Sequence, residues 1–249
     1  MAYADPRTTA HDDPRMRPRV RFDAIGEAWS FFKAESGAWV LAGLVVLTGN
    51  WALGMGLAAI LGADVPKLGD GFRVALRPNG HWVEFLLSAA LNGFFLGGMF
   101  RMACLQVRGR RIHTSDLFGV TESAHELIIG SLLYAAAVLV GGLMFVLPGF
   151  VAAGTLMFTV PLVVDGKLTG VDAVRTSWNA LKGRWLSVAV FHAVLYVIAG
   201  MGICFFAIGL LFTMPLYALG VSVLYRDFFI GKDCEPAPGA KPAGIDPDF

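Results

Sequence analysis

The chain has 249 residues, 56% of them hydrophobic and 16% charged, with a formal net charge of +1 and a mean hydropathy of +0.62. A soluble domain of this length carries about 25% charged residues, so the composition excludes an ordinary soluble fold and points to the bilayer. The near-zero net charge conceals a strong segregation of charge along the chain.

Prolines at 6, 14 and 18 and arginines at 7, 15, 17, 19 and 21 fill the N-terminal stretch. No apolar run follows closely enough to form a signal-peptide core, and residues 1–20 read as a disordered cytoplasmic arm. The segment RFDAIGEAWSFFKAESGAW (21–39) then has helical periodicity, with Phe22, Ile25, Trp29 and Phe32 spaced 3, 4 and 3 apart. That spacing gathers four large apolar groups on one face. Two apolar stretches follow, 37–61 and 82–105, each long enough for a single crossing, which needs about 20 residues. The loop 106–127 carries VRGRRIH, with Arg108, Arg110 and Arg111 beside the end of a span. It lacks the interleaved aromatics that stack bases, and anionic lipid headgroups explain its charge better than nucleic acid does. Within it Leu117, Val120, Ala124 and Leu127 repeat the 3, 4, 3 spacing more weakly.

The block 128–164 is too long for one crossing and suits a hairpin turning at Pro148-Gly149. After it TGVDAVRTSWNALKGRW (169–185) matches the N-terminal segment: Asp-Ala and a β-branched residue, Trp six after the Asp, Lys four after the Trp. Val171, Val174, Trp178 and Leu181 repeat the apolar face, and Thr169 with Asp172 fits a helix-starting capping box. In both copies a second Trp, Trp39 or Trp185, is expected to mark entry into the bilayer. A last block, 185–226, is broken by Gly200-Met201-Gly202 and Pro215 and reads as two crossings. The Pro-rich end, 231–249, reads as a disordered cytoplasmic tail.

These elements predict an all-α polytopic membrane protein. Six transmembrane helices fill a membrane domain over 21–230, with interfacial amphipathic helices beside them. With six crossings both termini share a side, and that side holds 17 of the 20 Lys and Arg, leaving Lys67, Arg73 and Arg77 opposite. The positive-inside rule places both termini in the cytoplasm. An amphipathic segment followed by an up-down hairpin is the unit expected to repeat in parallel. LMFVLP (143–148), LMFTVP (156–161) and LLFTMP (210–215) share a Leu-x-Phe-x-x-Pro core, with Pro148 and Pro215 as the expected equivalents.

The order LPGF…VPLVVDGKLTGVDAVRTSWNALKGRW…P…LYRD resembles a broad group of bacterial polytopic membrane proteins. That group includes the membrane domain fused to some glycerophosphodiester phosphodiesterases. The resemblance implies a multi-pass bacterial inner-membrane protein. These 249 residues contain no phosphodiesterase domain, so it implies no hydrolase activity.

Polar groups within spans are costly and are therefore the first candidates for function. Glu84 lies near the start of the second span, Asn50 and Asn92 lie deeper, and His192 is seven residues past Trp185. Arg101, near the end of the second span, reads as a snorkelling residue. Trp29, Trp178, Arg108, Arg110 and Arg111 are the interfacial candidates. No nucleophile–base pair, nucleotide loop or metal-ligand spacing occurs, and Cys104, Cys204 and Cys234 form no CxxC pair, so no enzyme activity, cofactor or metal is expected. The expectation is a non-catalytic, lipid-contacting inner-membrane protein with a scaffold, assembly or envelope-maintenance role and a membrane-protein partner. The alternative is a transporter or permease-like protein for an apolar or amphipathic substrate.

Overall fold

The computed structural model describes residues 20–61, 82–202 and 208–230, and every regular element among them is helical. In chain order these are α1 (Asp23–Ala34), α2 (Ser36–Leu61), α3 (Trp82–Val107), α4 (Ala124–Met144), α5 (Val146–Thr155), α6 (Thr159–Val164), α7 (Gly170–Leu181), α8 (Trp185–Met201) and α9 (Ile208–Tyr225). Two 3-10 turns, Thr114–Phe118 and Thr121–Ser123, precede α4, and a π turn over Arg226–Ile230 prolongs α9. Six of the resulting stretches are long and apolar enough to cross a membrane: α2, α3, α4, α5 with α6, α8 and α9. The chain is thus an all-α, multi-pass membrane protein, as its composition predicts. The arm before Val20, the tail 231–249 and Lys67, Arg73 and Arg77 lie outside the described residues.

Of the breaks expected, Gly200-Met201-Gly202 holds, since α8 ends at Met201, and the other is shifted by a few residues. The 128–164 block reverses at Phe145, the one extended residue between α4 and α5 (φ −167°, ψ 155°), three residues ahead of Pro148. Pro148 instead sits in the first turn of α5, where a missing N–H costs no hydrogen bond. Gly141 and Gly149 allow the two arms to meet, since a Cβ on Gly141 would stand 2.9 Å from the Gly149 nitrogen. Pro215 lies inside α9 and does not end it. The three Leu-x-Phe-x-x-Pro stretches therefore occupy a hairpin turn, a mid-span break and a helix interior, and Pro148 and Pro215 are not equivalents.

The repeat is carried instead by packing. Each hairpin contributes a first and a second span: α2 and α3, α4 and α5–α6, α8 and α9. Every first span sits between its own partner and the second span of the preceding hairpin: α4 touches α3, α8 touches α5, and α2 touches α9. The last contact closes a ring of three units running parallel to one another. In the most apolar stretch of each first span 22% of residues are buried, against 44%, 67% and 56% in the three second spans. The second spans are therefore the inner set and the first spans the outer set. Met99, Phe100, Phe158, Leu162 and Leu219 are among the largest fully buried or nearly buried side chains of the inner set. Phe158 packs within 5.5–6.0 Å of the rings of Tyr225, Phe228 and Phe229.

The short segments follow the same rule. α1 packs on α9, Thr114–Phe118 on α3, and α7 on α6 and α4, so each lies against the preceding hairpin. The weak third copy forms 3-10 turns rather than an amphipathic α-helix, with Leu117, Val120 and Leu127 buried. α7 starts as its sequence predicts: Thr169 caps it, accepting from the Asp172 N–H at 3.2 Å.

Candidate functional site

The inner spans end together, and that end holds the described ion pairs that join one element to another. Just past α3, Arg108 reaches Asp165 just past α6 at 2.5 Å, and the Tyr225 hydroxyl of α9 donates to the same carboxylate at 3.0 Å. One carboxylate thus ties the three units together. The turn that brings Arg108 there uses Gly109 at φ 76°, a conformation that costs other residues a Cβ clash. A second cluster joins α1 to α9. Arg21 donates to Asp227 at 2.6 Å and Glu27 at 2.8 Å, and Arg226 reaches Glu27 at 2.7 Å and Asp227 at 3.2 Å. The hydrogen bond to Asp227 pushes the Arg21 guanidinium further above its ordinary value, so it stays charged at any working pH.

Neutral bonds complete this end. The Trp39 indole N–H donates to Gln106 at 2.8 Å, and Gln106 in turn donates to the Phe31 carbonyl at 2.8 Å. Glu35 accepts the Ile112 N–H at 3.1 Å, and Glu126 accepts the Gly170 N–H at 2.7 Å, an N-terminal position that favours an anion. An open cleft of about 210 Å³ lies between the start of α4 and the α6–α7 turn, lined by Glu122, His125, Glu126, Lys167 and Thr169 among others.

The amphipathic helices dock by a face rotated from the one the hydrophobic pattern selects, sharing only its last residue, Phe32 or Leu181. α1 buries Ala24, Ala28 and Phe32, and α7 buries Ala173, Ser177 and Leu181. Small residues let backbones approach closely, which is how helices associate when lipid removes the usual hydrophobic drive. Phe22, Trp29, Val171 and Trp178 consequently turn outward, with Trp29 45% and Trp178 46% exposed. α1 lies lengthwise on α9, since Arg21 meets Asp227 at its far end while Phe32 meets Phe212 near its start, ring centres 5.9 Å apart. Trp39 and Trp185 are not equivalent: Trp39 is fully buried and Trp185 is 46% exposed at the first residue of α8.

The remaining sequence candidates do not converge. Asn50 donates to the Val46 carbonyl of its own helix at 2.9 Å, and Asn92 is exposed on α3. His192 is fully buried on α8, neither ring nitrogen has a hydrogen-bond partner among the described residues, and its ring lies 5.1 Å from Tyr196 and 5.8 Å from Tyr217. The Glu84 side chain lies outside the described residues. Arg108 belongs to the ion-pair cluster, whereas Arg110 and Arg111 are exposed on the turn after α3.

Sequence reasoning passed over Asp165, Asp227, Glu27 and Ser177. The first two carried a signal: each follows an inner span closely, at the place Arg108 occupies after α3. Ser177 carried none, because its role depends on a break in a different helix. Its hydroxyl donates to the Thr155 carbonyl at 2.8 Å and accepts the Phe158 N–H at 3.2 Å, filling both backbone groups left open between α5 and α6.

No protein-family model matches the chain, and no solved structure matches it. It is similar to the uncharacterized protein Rv2560 of Mycobacterium tuberculosis, 24% identical over 90% of this chain and 73% of that protein. The same figures hold for the uncharacterized protein Mb2590 of Mycobacterium bovis.

Proposed function

We propose that this chain is a non-catalytic, lipid-contacting scaffold of a bacterial inner membrane, in an assembly or envelope-maintenance role beside a membrane-protein partner. Its charged end and both termini face the cytoplasm. The observation that carries the reading is the outward aromatic face of α1 and α7. Both helices are held by Ala24, Ala28, Phe32, Ala173, Ser177 and Leu181 while Trp29 and Trp178 stay about half exposed. Indole rings favour the headgroup level of a bilayer, and amphipathic helices bind there by apolar area plus attraction to anionic lipid. The 17 Lys and Arg on that side support the orientation and an anionic headgroup partner. The sequence resemblance to bacterial polytopic proteins agrees with this reading. Transport draws less support, because among the described residues Asn50 bonds within its own helix and His192 meets tyrosines, and no hydrogen bond links them to each other or to Asn92.

The test is tryptophan quenching of the reconstituted chain by phosphatidylglycerol brominated near the headgroup end of its acyl chains. Replacing Trp29 and Trp178 together by Phe should remove a large part of the quenchable emission. The cost in stability should be small, about 1 kcal/mol or less for half-exposed sites. Quenching that the double substitution leaves unchanged would contradict the reading.

A further inference from the structure

The part-buried arginines in the ion-pair clusters of the charged end are matched by carboxylates: Arg21 by Asp227 and Glu27, Arg108 by Asp165, Arg226 by Glu27 and Asp227. Arg101 is different. It lies on α3, inside the membrane-crossing stretch Leu86–Val107. Among the described residues no carboxylate pairs with it, and its Nε is buried without a hydrogen-bond partner. An unpaired guanidinium in a span is expensive, and the molecule makes room for it. A Cβ at position 119 would stand 2.6 Å from the Arg101 Nε and 3.0 Å from its Cζ, so glycine there leaves the side chain a passage. Gly119 is itself exposed, and next to it Phe118 is 50% exposed. Of the acids in this segment, Asp116 is engaged in capping, accepting the His113 N–H at 2.8 Å, and Glu122 is exposed without reaching Arg101.

We propose that Arg101, reached through the gap left by Gly119, binds the phosphodiester of an anionic phospholipid, with Phe118 against its acyl chains. The guanidinium is planar and always charged, and its fork of N–H donors matches two phosphate oxygens at once. A lipid is the fitting source because the cation sits within a span and an exposed aromatic ring flanks it. Arg110 and Arg111, exposed on the preceding turn, add attraction at the surface. The proposal rests on the lipid-contacting reading above and assigns it a site.

The test is native mass spectrometry of the full chain in detergent, exchanged with phosphatidylglycerol or phosphatidylcholine. Wild type should retain phosphatidylglycerol preferentially. Arg101→Gln should lower that retention about tenfold, the loss expected for a charge-assisted hydrogen-bond pair, with phosphatidylcholine and helical content unchanged. The double change Arg110→Gln with Arg111→Gln should lower it less. Should Arg101→Gln fail to fold, Gly119→Leu, which fills the passage and keeps the charge, should give the same loss. Wild-type retention by either Arg101→Gln or Gly119→Leu would overturn the site, as would an equal loss in the Arg110/Arg111 double variant. Displacement of phosphatidylglycerol by millimolar inorganic phosphate would reassign it to a soluble ligand. No lipid preference in wild type would sink the broader reading along with the site.

Discussion

α1 and α7 are copies of one another in sequence, yet they are held by different forces. α7 follows α6 after five residues, so the chain itself delivers it to its groove. There Ser177 fills the open backbone groups of the α5–α6 break. α1 reaches α9 across 206 positions of sequence, with no short connection to deliver it. It carries Ala28 at the position of Ser177, and the pairs of Arg21 and Glu27 with Asp227 and Arg226 supply the specificity that the connection supplies to α7. A docking contact that lacks a covalent tether acquires a charge code, and the ring of three units is closed by that code.

The comparison is broken most strongly by removing the cation at its centre. The Arg226 side chain is 8% exposed and pairs with Glu27 and Asp227. Arg226→Met leaves two part-buried carboxylates sharing Arg21 alone and should cost about 2–3 kcal/mol of thermal stability in detergent. On α7 the exposed Arg175→Gln should change stability by less than about 0.5 kcal/mol. Next in size is Ser177→Ala, which strands the Phe158 N–H and the Thr155 carbonyl and should cost about 1–3 kcal/mol. Faster hydrogen exchange at Phe158 would show that the loss is local. Within the charge cluster the smaller effect is expected of Arg21→Gln. Its side chain is 31% exposed, and the loss should stay near or below about 1 kcal/mol and shrink with added salt.

Much of this architecture was legible in the residues themselves. Apolar length reports spans directly, because lipid leaves the backbone no other way to satisfy its hydrogen bonds. All six spans fall where the apolar blocks predict them, and the Thr169–Asp172 cap is equally local. The docking face of α1 and α7 was only half legible, because periodicity reports large apolar groups: Phe32 and Leu181 pack as it predicts, but Phe22, Trp29, Val171 and Trp178 face outward while alanines and a serine pack in their place. The Pro-containing echoes misled because similar short strings serve a turn, a break and a helix interior. Closure of the ring was invisible for a different reason. It is a tertiary contact between the two ends of the chain, and its charges, Glu27 and Asp227, look like ordinary flanking residues until α1 is seen against α9.

Closure by α1 is also the most direct test of the account. Arg21 and Asp227 replaced together by Cys, with Cys104, Cys204 and Cys234 changed to Ala, should be joined within a single chain when native membranes are treated with a short bifunctional thiol reagent, whose spacer covers the reach of the lost Arg21 side chain. The pair Asp172→Cys with Asp227→Cys should not crosslink, because α7 packs on α6 and α4. Absence of the first crosslink, or its appearance only between two chains, would contradict a ring closed by its own N-terminal helix.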